Sequence, residues 1–239
     1  MNFTDFEKNL LCDLNEINVQ INKDKTQKLY NYMKIILEWN KVMNLTSITE
    51  PKDIITKHFA DSLTINRYIK NNCKLIDVGT GAGFPGIPLA IFRKEINITL
   101  LDSLNKRINF LNEVIKSLEL NNCMAIHGRA EDLGKNNEYR EQYDVAVSRA
   151  VAPLNVLLEY LLPLVKVGGI CICMKGPKIE EEINTINNAL KKLGGKVEEK
   201  NNIKLHNQEI ERNIVIIKKI SKTDMEYPRN AGIPSKKPL

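Results

Sequence analysis

Apolar residues recur at three- and four-residue steps near the start of the chain, at Leu29, Tyr32, Met33, Ile36, Leu37 and Met43. That spacing lines one face of an amphipathic helix. Asn22 stands where its side chain can cap the free amides of the first turn. A second helical stretch begins at Pro51, whose fixed φ suits a first turn, and it carries Ile54, Ile55, Phe59, Leu63 and Ile65. Trp39 falls among the apolar positions and reads as core. Residues 1–70 are therefore predicted to form a helical cap packed on a larger core.

From Lys74 the pattern changes to short apolar runs separated by helical segments. Strands are predicted at Leu75–Val78, Ile98–Leu101, Met124–His127, Val145–Ser148 and Ile170–Met174. Helices fall between them, at Gly86–Arg93, Asn105–Leu118, Leu154–Val165 and Ile179–Leu193. Such alternation is the signature of an α/β fold, a mostly parallel sheet with helices on both faces. After Gly194 and Gly195 come Lys196–Glu199 or Ile203–Leu205, then Asn213–Ile217, with no helix between. The sheet should thus end in an antiparallel hairpin. The core spans residues 71–220, and a C-terminal tail occupies 221–239.

Composition narrows the class. Hydrophobic residues make up 43% and charged residues 27% of 239, as in folded soluble proteins. The most apolar region, Val145 to Val165, is interrupted by Arg149, Asn155 and Glu159, so it is no membrane span. Met1 to Lys8 carries Asp5 and Glu7 and lacks the order of a signal peptide. A cytoplasmic location is expected. Cys12, Cys73, Cys123, Cys171 and Cys173 form no Cys-x-x-Cys pair, so no metal is expected, and Cys171 and Cys173 should share one buried strand face. Net charge is +6, and it gathers at the end, where Lys218, Lys219, Lys222, Arg229, Lys236 and Lys237 face only Asp224 and Glu226. A basic tail of this kind suits phosphates, with Arg229, Lys236 and Lys237 as candidate contacts.

The richest chemistry lies in Asp77-Val78-Gly79-Thr80-Gly81-Ala82-Gly83-Phe84-Pro85-Gly86, between the first strand of the sheet and a helix. Glycines there let the backbone turn sharply and let a ligand approach the amides. Gly81, Gly83 and Gly86 also match the Gly-x-Gly-x-x-Gly of dinucleotide enzymes, so the spacing alone leaves a nicotinamide cofactor open. Asp77 favours a cationic ligand, a sulfonium with an ammonium group, over a pyrophosphate. Asp102 ends the next strand, where a carboxylate accepts from both ribose hydroxyls in either cofactor type. His127-Gly128-Arg129-Ala130-Glu131-Asp132 comes after the third strand and suits an adenine edge. Arg149 comes after the fourth strand and enters the crevice at the carboxyl ends of the strands. His58 and Asp61, three residues apart on one helical face, are candidates for positioning a substrate.

The loop, Leu101-Asp102-Ser103 with Lys106 and Arg107, Arg129-Ala130-Glu131 and Ser148-Arg149-Ala150 resemble the RsmG (GidB) family of small-subunit ribosomal RNA methyltransferases. Asn44-Leu45-Thr46, His58-Phe59-Ala60-Asp61-Ser62 and the terminal stretch from Tyr227 to Leu239 extend the resemblance over nearly the whole chain. It implies a class I, Rossmann-like methyltransferase fold and S-adenosylmethionine as cofactor, contacted by Gly79, Phe84, Ala130, Glu131 and Arg149. It also implies methyl transfer to nitrogen 7 of a guanosine in 16S ribosomal RNA, met free or in the small subunit. A monomer is expected. After Tyr227-Pro228-Arg229 the family commonly has Lys-x-Gly where this chain has Asn230-Ala231-Gly232, so one basic contact is absent.

The residue inventory suits that chemistry. Guanine N7 carries an in-plane lone pair and no proton, so its methylation requires alignment but no general base, and the sequence assigns no catalytic residue. Two other readings stand: a nicotinamide-dependent oxidoreductase on the glycine spacing, and a non-catalytic RNA-binding scaffold on the basic tail. If the tail serves RNA alone, removing Tyr227 to Leu239 should leave cofactor binding intact.

Overall fold

In the computed structural model, which describes residues 1–177, 179–205 and 210–239, the N-terminal pattern resolves into two helices, α1 (Phe3–Glu16) and α2 (Lys23–Asn40). The periodicity around Leu29 belongs to α2 alone. Asn22 caps α2 by accepting from the Lys25 amide at 3.0 Å, while Met43 lies beyond its end. Pro51 opens α3 (Pro51–Ile54), which runs through a π-helical turn at Ile55–Ala60 into α4 (Asp61–Leu63).

The remaining elements keep the predicted alternation: β1 (Lys74–Val78), α5 (Gly86–Phe92), β2 (Asn97–Asp102), α6 (Asn105–Ser117), β3 (Cys123–His127), α7 (Ala130–Leu133), β4 (Tyr143–Arg149) and α8 (Leu154–Leu161). Then come β5 (Val165–Lys175), α9 (Ile179–Ile183), α10 (Asn187–Leu193), β6 (Gly195–Leu205), β7 (Ile210–Lys219) and α11 (Ile233–Lys236). The seven strands lie in the order β3-β2-β1-β4-β5-β7-β6. Pairing is parallel from β3 to β5 and antiparallel at β5–β7 and β7–β6, so the sheet does end in a hairpin.

Three boundaries differ from the pattern. Pro163 cannot continue α8, and Leu162–Leu164 tighten into a 3₁₀ turn before β5. The Ile179–Leu193 helix splits because Thr185 turns its hydroxyl onto the Glu182 carbonyl at 2.7 Å, competing with the helix for that acceptor. The two alternative segments after Gly195 form one edge strand, β6, whose charged middle faces solvent.

Alternating residues along each strand feed two cores. Leu75, Leu100, Val147 and Ile172 pack with the cap, α5 and α6, whereas Ile76, Val78, Ala146 and Ile217 pack with α8 and α10. Cys171 and Cys173 lie together in the second core, fully buried, where apolar surroundings push both thiols up. Each fully buried Leu, Ile or Phe in these cores contributes about 1.5–3 kcal/mol. Trp39 is half-buried, edge-on to Phe110 and donating to Glu113 at 3.1 Å. Among the described residues no helix is long and apolar enough to cross a membrane.

The C-terminal segment is sewn into the second core rather than trailing from it. Arg140, largely buried, donates to the carbonyls of Gly134, Thr223, Asp224 and Tyr227. Tyr227 is buried, and Arg229 grips Glu159 of α8. Lys219, counted with the basic tail in the sequence, is wholly buried and donates to the Leu162 carbonyl at 2.8 Å.

Candidate active site

Strand order reverses between β1 and β4, so their carboxyl ends leave a crevice in which open sheets bind ligands. The β1–α5 loop crosses it. Amides of Gly79 and Thr80 donate to the Leu101 carbonyl at 2.9 and 3.1 Å, tying the loop to β2. Asp77 is fully buried, and its Oδ2 accepts from the Thr80 hydroxyl at 2.7 Å and the Gly86 amide at 2.8 Å, bracing both ends of the loop. Its Oδ1 is buried without a hydrogen-bond partner among the described residues. Burial pushes the Asp77 carboxyl up to about 6, against the lowering pull of Thr80, Gly86 and Arg149.

Gly81 (φ +62°) has open space where a Cβ would stand. Gly83 (φ +93°) faces the other way, where a Cβ would meet Ile87 and the Tyr32 hydroxyl. Asp102 closes β2 with three hydrogen bonds, to the Gly81 amide at 2.9 Å, the Leu104 amide at 3.0 Å and Arg107 at 3.1 Å.

The helical cap forms the opposite wall. Tyr32 donates to the Ala82 carbonyl and stacks on Phe59 at 5.6 Å. His58 stacks on Phe84 at 4.2 Å, and the Arg149 guanidinium lies 5.0 Å from the same ring. Arg149 Nη1 donates to Asp61 at 2.7 Å and to the Lys57 carbonyl at 3.0 Å, and Nη2 reaches His58 Nδ1 at 3.1 Å. Arginine has only donors, so Nδ1 must accept and the proton sits on Nε2, facing the Thr46 hydroxyl at 3.0 Å. Burial first, and the Arg149 charge second, lower His58 to about 3, so the imidazole is neutral at physiological pH. His58 and Asp61 are linked through Arg149, which bonds to both.

Tyr32→Phe should cost about 1 kcal/mol of stability by leaving the Ala82 carbonyl without its buried donor. Chemical denaturation of the two proteins checks it. An unchanged midpoint would mean that the cap does not brace the loop.

A cavity of about 410 Å³ lies between these walls, lined by Gly79, Gly81, Phe84, Asp102, Arg149 and His58. Thr46, Ser103, Arg107 and Val151, to which the sequence had assigned no role, also line it. Gly83 and Asp61 stand behind the wall. Ala130 and Glu131 stand outside it, at the carboxyl end of β3, next to the Asp102 end of β2. Glu131 accepts from the Gly232 amide at 3.0 Å, which ties α7 to the C-terminal segment. Arg229 lies far from free phosphate-binding geometry: its amide, Nε and Nη2 all engage Glu159, at 2.8, 2.9 and 2.6 Å. Lys236 and Lys237 are exposed at the end of α11.

Comparison with known proteins matches this arrangement to one family. The model of the family described as GidB, rRNA small subunit methyltransferase G, matches residues 25–215. The ribosomal RNA small subunit methyltransferase G of Alkaliphilus oremlandii is 53% identical over 93% of this chain and 94% of its own length. That of Clostridium botulinum (strain Loch Maree) is 50% identical over 96% of this chain and 97% of its own. Among solved structures, a SAM dependent methyltransferase from Aquifex aeolicus superposes with a TM-score of 0.52 at 18% identity, over 70% of this chain and 93% of its own. SAM-dependent methyltransferases from Methanosarcina mazei give 0.52 at 14% identity, over 66% and 97%. These structural likenesses support the fold.

Proposed function

The chain belongs to the rRNA small subunit methyltransferase G family, and from that membership we propose that it transfers the methyl group of S-adenosylmethionine to nitrogen 7 of one guanosine in 16S ribosomal RNA. The chain is an S-adenosylmethionine-dependent methyltransferase of class I fold. The observation that carries the site assignment is the cavity beside Gly81, which has an open glycine face, a carboxylate at the end of β2 and a cation at the end of β4.

The residues fit the cofactor. Asp77, buried behind the loop rather than lining the cavity, keeps one oxygen without a hydrogen-bond partner among the described residues, and its negative charge favours a cationic ligand nearby. Asp102 has three of its roughly four acceptor positions taken, which leaves one for a ribose hydroxyl. Gly79 and Phe84 would flank the methionine end, Arg149 would face its carboxylate, and the Ala130–Glu131 turn would meet the adenine beyond Asp102. Bound S-adenosylmethionine supplies a methyl group activated by a cationic sulfur. The protein's own share is alignment: the loop, the Phe84–His58 stack and Arg149 fix the donor side. Since N7 carries no proton, no side chain needs to accept one, and neutral His58 serves as a wall. Lys236 and Lys237 are proposed to meet RNA phosphates, with Arg229 anchoring the segment that presents them. A cytoplasmic location fits this reading, because ribosomal RNA is encountered there, and a monomer is proposed with it.

Mass-spectrometric mapping of the modified nucleoside in 16S RNA, from cells with and without this protein, tests the reaction. The same nucleoside in both overturns it. Tight NADH binding without S-adenosylhomocysteine binding in calorimetry would restore the oxidoreductase reading.

Asp77 also predicts a pH dependence. A cationic ligand favours the ionised carboxylate, whereas burial keeps the group protonated below about 6 in the free protein. Affinity should therefore rise with pH through about 6, and be about tenfold weaker at a pH one unit below that midpoint than well above it. Asp77→Asn should flatten the profile measured by calorimetry. An unchanged slope in that variant would remove Asp77 from the binding event.

A further inference from the structure

A second cavity, of about 400 Å³, lies on the far side of Arg149 and shares with the first the wall made by His58, Arg149 and Ala150. Its other sides include Ile48, Lys57, Asp61, Met174, Glu182 and Arg212. We propose that this second cavity receives the acceptor nucleotide, and that Arg212 is a substrate-binding residue that holds it through its phosphate. The proposal rests on the methyltransferase reading of the first cavity.

Position is the first argument. A methyl group moves in a straight line from donor to acceptor, so the acceptor site must adjoin the cofactor site, and the two cavities adjoin at His58, Arg149 and Ala150. The sheet builds the junction. Met174 of β5 is the register partner of Arg149 on one side and of Ile214 on the other, so the carboxyl end of β5 floors the second cavity beside Arg149. Ala150 occupies the left-handed region (φ +56°) at the junction, a strained conformation for a residue with a Cβ.

Charge is the second. Four cations, Lys57, Arg149, Lys175 and Arg212, line the cavity with two carboxylates, Asp61 and Glu182, while His58 is neutral. Lys175 pairs with Glu182 at 2.7 Å, but Arg149 and Arg212 share the single carboxylate of Asp61, at 2.7 and 2.9 Å. The triad therefore keeps one positive charge in excess. Arg212 commits Nε to Asp61 and Nη1 to the Glu211 carbonyl at 3.2 Å, and its Nη2 has no partner among the described residues. An anchored guanidinium with a free donor suits a phosphate oxygen. Ile48 and Met174 offer the apolar surface that a flat base requires.

The test uses small subunits lacking the modification and labelled S-adenosylmethionine, with S-adenosylhomocysteine affinity measured in parallel. Arg212→Gln should keep that affinity within about twofold and lower kcat/KM for the RNA on the order of 100-fold, with Arg212→Lys recovering part of the loss. Lys70→Ala, at the other end of the sheet, should match the wild type. Methylation by Arg212→Gln within about threefold of wild type would overturn the proposal. So would loss of cofactor affinity in parallel with activity, which would make Arg212 a support for the first cavity. Should Arg212→Gln fail to fold, Lys57→Ala at the partly exposed rim decides instead, a KM raised about tenfold supporting the pocket and an unchanged KM overturning it. No label with wild-type protein would overturn the reaction assignment together with the pocket, whereas equal label with wild type and variant overturns the pocket alone.

Discussion

Gly81→Val should reduce affinity for S-adenosylmethionine on the order of 100-fold or more while leaving the fold intact. Two effects add. At φ +62° a β-branched residue is strained by about 1–3 kcal/mol, and relief of that strain shifts the loop. The new methyl groups also project into the cavity, since no heavy atom lies within 4 Å of the position that a Cβ would take. The same open space explains why the protein itself tolerates the change: nothing in the core is displaced. Gly81→Ala separates the contributions, because it carries much of the strain with little of the bulk, and its loss should be nearer tenfold. Calorimetry with S-adenosylhomocysteine, beside thermal melts, reads both. Wild-type affinity in the valine variant would mean that the ligand lies elsewhere.

Local rules carried the sequence reading a long way. Strands β1 to β5 are legible as apolar runs, and the loop after β1 is legible from its glycines, because both depend on neighbours in the chain. Asn22 and Pro51 mark helix starts for equally local reasons. The π-helical turn at Ile55–Ala60 was not legible, since an α pattern gives the same apolar spacing over so short a stretch. Nor was β6 as one strand, because an edge strand with charged residues lacks the alternation of a half-buried one. At the site, the pairing of His58 with Asp61 was visible as a three-residue spacing. Its closure by Arg149, 88 residues beyond Asp61, was not. Long-range ion pairs leave no periodic trace. Glu159 shows this most sharply: it looks like the polar interruption of an apolar helix, yet it is fully buried and its partner lies 70 residues away.

That pairing changes the expected consequence of altering the C-terminus. Charge alone suggested that residues Tyr227 to Leu239 serve RNA and can be removed without loss of cofactor binding, whereas Tyr227 is buried in the second core and Leu239 packs against it. Arg229→Ala would leave the Glu159 carboxylate buried in α8 without its counter-ion, and breaking a buried pair in this way costs about 3–5 kcal/mol. For a chain of this size that corresponds to a fall in melting temperature of roughly 6–20 °C. Deleting Tyr227 to Leu239 should cost more, because it also uncovers the buried Tyr227 site and removes the Gly232 amide from Glu131. Cofactor affinity should then fall with the fold, contrary to the expectation from charge. Lys236→Ala with Lys237→Ala is the contrast: both side chains are exposed, so the melting temperature should hold while RNA affinity and its salt dependence decline. A double variant, Glu159→Leu with Arg229→Met, should regain much of the stability lost by Arg229→Ala, because it replaces an unpaired charge with apolar contact. Melts monitored by circular dichroism compare the four variants with the wild type, and an Arg229→Ala melt within about 1 °C of wild type would show that the ion pair does not hold the segment in place.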